Sequence, residues 1–152
     1  MRAVAFGMLL LALECGPAAA TDVTFSGTLT GICTLAVPTP GTLGLAADGS
    51  LGSSAGVPAT LTILSVGSNT VTIAPPAWVS TPVGYSAVGE SLSVAYLGVG
   101  GLSVVNQAYT TSTTNFGVST LPLTALTVNA KATNTSGFVA GTYQMKVVVT
   151  CS

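Results

Sequence analysis

Apolar and hydroxyl-bearing residues alternate along much of this chain. From residue 23 to 37 the odd positions are Val23, Phe25, Gly27, Leu29, Gly31, Cys33, Leu35 and Val37. The even positions are Thr24, Ser26, Thr28, Thr30, Ile32, Thr34 and Ala36. A period of two sends successive side chains to opposite faces of an extended chain. The segment therefore predicts a strand with an apolar face and a mostly hydroxyl face, ended by Pro38 and Pro40. Similar patterns over Ala59–Val66, Thr70–Ala74, Ser91–Leu97, Leu102–Tyr109, Leu123–Ala132 and Thr142–Cys151 predict further strands. In the last, Tyr143, Met145, Val147, Val149 and Cys151 share one face, opposite Gln144, Lys146, Val148 and Thr150. Asp48-Gly49, Gly67-Ser68-Asn69, Pro75-Pro76, Gly100-Gly101, Asn134 to Gly137 and Gly141 supply turn chemistry between them. About seven short strands, with no helical period anywhere, predict an all-β sandwich or barrel.

The first alternating run is too long for an ordinary strand. Fifteen residues in one phase reach about 50 Å at ~3.3 Å per residue, whereas strands usually hold about 5–6 residues. A bend near Gly27 or Gly31 would shorten it. Alternatively, Val23–Leu29 is an exposed strand that adds to another copy of the protein.

The amino-terminal residues predict processing. Arg2 precedes an eleven-residue apolar run, Ala3 to Leu13, and Ala18-Ala19-Ala20 forms a small-residue cleavage site. Such a run is shorter than the about 20 residues needed to span a bilayer. Residues 1–20 are read as a cleaved signal peptide and 21–152 as a single domain, with 21–30 a donor-strand extension. Cleavage removes Cys15 and leaves Cys33 and Cys151. In an oxidising compartment two cysteines predict one disulfide; two free thiols are the alternative if their strands lie apart. Both cysteines fall on the apolar phase of their strands, so they can meet at one core.

Composition narrows the chemistry. Of 152 residues, 49% are hydrophobic and 5% charged; there are 23 threonines and 15 serines, and no histidine. High hydrophobicity excludes a disordered chain, and three basic residues cannot form a phosphate-neutralising patch for nucleic acid. Without histidine, Ser/His/Asp and Cys/His arrangements are absent. Of the carboxylates left after cleavage, Asp22 lies at the terminus and Asp48 beside a turn glycine. Glu90 is the single candidate acid, read more simply as a solvated residue before a strand. No enzyme activity, metal or cofactor is expected. Gly98-Val99-Gly100-Gly101 reads as a turn, because no helix follows to make a phosphate cradle. Asn134-Thr135-Ser136 matches a glycosylation sequon in a predicted turn. Trp78, Tyr85, Tyr96 and Tyr109 could form a platform for a sugar, with Trp78, Tyr85 and Tyr109 as its contacts; the alternative is core packing of Trp78 and Tyr96.

The two ends of the predicted domain resemble a known family. Val23-Thr24-Phe25-Ser26-Gly27-Thr28-Leu29, followed by Cys33, resembles the amino-terminal segment of bacterial chaperone–usher fimbrial subunits, and of the related spore-coat-U-type secreted proteins. Gly141-Thr142-Tyr143 leading into Val147-Val148-Val149-Thr150 is similar to their carboxy-terminal strand. The resemblance implies an immunoglobulin-like, pilin-like antiparallel β-sandwich with one strand missing. A periplasmic chaperone, then the next subunit, would supply that strand. Val23, Phe25, Gly27 and Leu29 would be the donor positions, and Tyr143, Met145, Val147 and Val149 the acceptor edge. The implied protein is a structural subunit of a surface fimbria or coat. It would be exported through the periplasm to the cell surface and partnered by copies of itself or related subunits, a chaperone and an outer-membrane usher. The alternative is a self-complete secreted sandwich acting as an adhesin that binds host or surface glycans.

Overall fold

A computed structural model describes residues 26, 31–36, 39–100, 103–119 and 124–152. Val23, Phe25, Gly27 and Leu29 lie outside the described residues. Twelve strands occur in chain order: β1 (Ile32–Ala36), β2 (Thr42–Leu45), β3 (Leu51–Val57), β4 (Ala59–Val66), β5 (Ser68–Ile73) and β6 (Ala77–Ser80). They continue with β7 (Glu90–Gly100), β8 (Ser103–Thr110), β9 (Thr114–Ser119), β10 (Thr124–Asn134), β11 (Gln144–Lys146) and β12 (Val149–Cys151). All pairings are antiparallel, and the described residues contain no helix.

The larger layer is organised by β10. One edge pairs with β7 from Ala125↔Val99 to Asn134↔Glu90, and β8 lies beyond β7. The other edge is shared: β4 takes its first half and β3 its second, with β1 beyond β4 and β2 beyond β3. Residues 53–58 separate the two, since Gly52 faces Lys131 and Ala59 faces Val128. Pro58, which has no N–H to give a ladder, sits at the end of this excursion. Ser53 repairs part of the gap: its hydroxyl accepts from the Ala130 amide at 3.1 Å and donates to Asn129 Oδ1 at 3.0 Å.

The second layer is a ribbon of β5 and β12 with β9 on its flank, extended by the β6–β11 pair. Pro75 and Pro76, expected to turn the chain, only interrupt its pairing. The Ala74 amide donates to the Val148 carbonyl at 2.9 Å, and β6 resumes beside β11. The predicted strand 142–151 is accordingly split into β11 and β12.

The layers meet through Ile63, Val94, Tyr96, Leu126 and Val128 on one side and Val71, Ile73 and Val118 on the other, all buried. Each fully buried aliphatic side chain contributes about 1.5–3 kcal/mol. Tyr96 also donates its hydroxyl to Thr114 Oγ1 at 2.9 Å across the layers. Gly67, with φ 84°, makes the one-residue link from β4 to β5 that changes layer. The result is an antiparallel β-sandwich.

Cys33 on β1 is bonded to Cys151 on β12, with Cα atoms 6.0 Å apart and a sequence separation of 118. The bond joins the two layers. Register defines two ends of the molecule. Ile32, paired with Val66, lies with Gly67 and Asn69 at one; Glu90 and Asn134 lie at the other.

Candidate functional site

Between the layers, along the outer edge of β11 and β12, runs an open groove of about 780 Å³. One wall carries Tyr143, Met145, Val147 and Val149, four half-buried side chains at a spacing of two. The intervening Gln144, Lys146 and Val148 are exposed. The opposite wall is Gly41, Thr42 and Leu43 with Leu51 and Leu61, and Val128 and Ala130 of β10 lie between. On their inner edge β11 and β12 pair with β6 and β5; among the described residues no strand pairs with their outer edge. Among the described residues, the site therefore sets backbone groups with no strand partner beside alternating apolar pockets.

The ends of the groove differ. Val149 is the last lining residue, and two positions beyond it the disulfide ties β12 to β1. At that end the bond holds the two layers together. At the other end Val79, Gly141 and Tyr143 border a mouth that opens toward the Glu90 end of the sandwich.

An aromatic cluster stands at this mouth. Tyr143 lies 5.5 Å from both Trp78 and Tyr85 and 5.6 Å from Phe138, measured between ring centres. Tyr85 stacks on Phe138 at 6.0 Å with the planes 8° apart. Glu90 Oε2 accepts from the Trp78 indole at 2.6 Å and from the Tyr85 hydroxyl. Because Glu90 begins β7 and Trp78 lies on β6, this carboxylate ties the two layers at the mouth as the disulfide does at the other end. Burial, reinforced by the hydrogen bond to the Glu90 carboxylate, raises the Tyr85 hydroxyl above its ordinary pKa. Nearby, hydrogen bonds from Ser50 and Lys131 hold the Asp48 carboxyl well below the usual carboxylate range.

The structure thus gathers all four residues of the predicted acceptor edge on one groove wall. It places Trp78 and Tyr85 together but leaves Tyr109 on β8, with no ring contact to them among the described residues. Phe138 and Tyr143, which complete the cluster, had no local signal linking them to Trp78, some 60 residues away. Comparison of the chain with protein-family models, curated proteins and solved structures found no match in any of the three. Function is therefore read from the groove and the residues around it.

Proposed function

We propose that this protein is a structural subunit of a bacterial surface fimbria or coat, assembled by donation of a β-strand from one copy to the groove of the next. The observation that carries this reading is the outer edge of β11–β12, paired with no strand among the described residues, beside a groove with apolar residues at every second position. A strand added there gains main-chain hydrogen bonds for affinity and side-chain pockets for specificity. The chain contains a segment of the required pattern. Val23, Phe25, Gly27 and Leu29 span the same number of residues as Tyr143 to Val149, about 20 Å at ~3.3 Å per residue.

The geometry sets a direction. In this reading the donated strand leaves at the end away from the Cys33–Cys151 bond, which ties the layers together, so the donating copy stands at the mouth. Its strand then enters amino terminus first and runs antiparallel to β11–β12, with Val23 toward Val149 and Leu29 toward Tyr143. The chain enters its own domain at Ile32, at the end of the sandwich opposite the mouth. Donation is therefore head-to-tail between copies, a heterologous contact that continues as a filament. A periplasmic chaperone holding the groove before assembly, and an outer-membrane usher, are the partners this reading calls for.

A glycan-binding role for the aromatic residues has weaker support, because Tyr85 spends a ring face on Phe138 and Tyr109 sits apart. The test is deletion of residues 21–29. The shortened protein should remain folded by circular dichroism, form no multimers in cold detergent, and bind a synthetic peptide of residues 21–30. Multimers that persist without the segment would overturn the reading.

A further inference from the structure

The surface around the groove mouth is unusually apolar. Val83 is fully exposed at the tip of the 81–89 loop, Val88 is 74% exposed, and Val79 and Val139 are also exposed. Neither residues 79–89 nor residues 132–145, the two stretches that carry them, include a charge. These valines are held in place. The Tyr143 hydroxyl donates to the Val139 carbonyl at 3.0 Å, and Ser136 Oγ to the Val88 carbonyl at 3.4 Å. Pro82 packs so closely on Gly141, a lining residue with φ 148°, that a Cβ there would lie 2.6 Å from the proline ring. The aromatic cluster lies beneath them.

We infer that Val79, Val83, Val88 and Val139 form a collar on which the body of a second copy rests when its strand occupies the groove. The inference builds on strand donation and adds a contact that donation alone does not require. It follows from the length of chain between strand and body. Only Thr30 and Gly31 separate Leu29 from Ile32, the first residue of β1. Three Cα steps reach at most about 11 Å. With Leu29 at the mouth, the donating copy must bring its Ile32–Gly67–Asn69 end against the rim. Ile32 is 53% exposed at that end and supplies an apolar side chain to meet the collar. Exposed valines that would otherwise face water are then covered, and the angle between successive copies is fixed by two folded surfaces.

The experiment uses the full chain carrying Val83→Asp and Val88→Asp, with Val83→Ser and Val88→Ser as an uncharged counterpart. Placed in the chain lacking residues 21–29, whose groove is free, both pairs are expected to bind the 21–30 peptide as that shortened chain does, since a peptide brings no body to the collar. In the full chain their multimers should dissociate about tenfold faster in sedimentation after dilution, as expected when an interface contact is lost chiefly through the off-rate. Inserting four glycines after Thr30 should abolish this difference, because the body is then released from the rim. Multimers as long-lived as those of the unaltered chain overturn the collar and leave the groove standing. Equal losses of peptide and multimer binding also overturn it, by showing that the valines act on the groove. Failure of the chain lacking residues 21–29 to bind the peptide overturns strand donation and the collar with it.

Discussion

Replacing both cysteines, Cys33→Ala with Cys151→Ala, has an effect that can be worked out from the covalent ring they close. The bond spans 118 residues of sequence. In the loop-entropy model, constraining a ring of that size removes about 16 cal/mol/K from the unfolded chain, or about 5 kcal/mol at room temperature. Domains of this kind have total stabilities of about 5–15 kcal/mol, so the loss is a large share of the whole. At a urea dependence of about 2 kcal/mol per molar, the unfolding midpoint should fall by about 2.5 M. Both sulfurs pack against the core, and two small cavities left by alanine add to the cost. The assay is urea unfolding followed by the fluorescence of Trp78, the chain's single tryptophan, on the oxidised, reduced and doubly substituted proteins. The reduced protein should fall by this amount and the doubly substituted one by somewhat more. A drop of less than about 0.5 M in both would refute the view that the bond acts by restricting the unfolded chain.

Two further outcomes are expected. Ile63 is fully buried where β4 meets the second layer, and Ile63→Ala should cost about 2–5 kcal/mol in the same urea assay. Tyr85 has a folded pKa raised above its unfolded value of about 10, so its contribution is present below that pH and lost as pH rises through the folded value. The thermal midpoint should therefore decline above about pH 10, and less steeply in Tyr85→Phe. An identical alkaline decline in the two proteins would assign it to other groups.

The sequence was most informative where alternation was strict. Cys33 and Cys151 share the inward phase of their strands, and the disulfide forms between them. Tyr143 to Val149 alternate cleanly, and all four inward residues line the groove. Alternation fails where glycine and serine replace large apolar residues. β2 (Thr-Leu-Gly-Leu) and β3 (Leu-Gly-Ser-Ser-Ala-Gly-Val) carry no such signal, yet they pair because their backbones approach closely. A Cβ on Gly44 would collide with the Ala55 carbonyl, and one on Gly56 with the Thr42 carbonyl. The opposite groove wall, at Gly41–Leu43, was hidden for the same reason. Pro75-Pro76 misled in the other direction. Local chemistry there indicates a turn, but the β6–β11 pairing carries the chain straight on. The aromatic cluster is a tertiary event: rings from residues 78, 85, 138 and 143 converge only once both layers are in place.

The position of the disulfide also determines how the molecule responds to pulling. A tension applied to the chain before Cys33 and drawn off after Cys151 passes through the sulfur–sulfur bond and bypasses the fold between them, a sequence separation of 118. In a head-to-tail filament the load enters through the segment leading into β1 and leaves through β11 and β12, next to Cys151. Most of each subunit would then hang beside the line of force, and hydrogen-bonded strands would bear it only over the short stretch from β12 to the donated strand. Filaments assembled by the proposed strand donation should yield by withdrawal of a strand from its groove, with the sandwich itself left folded.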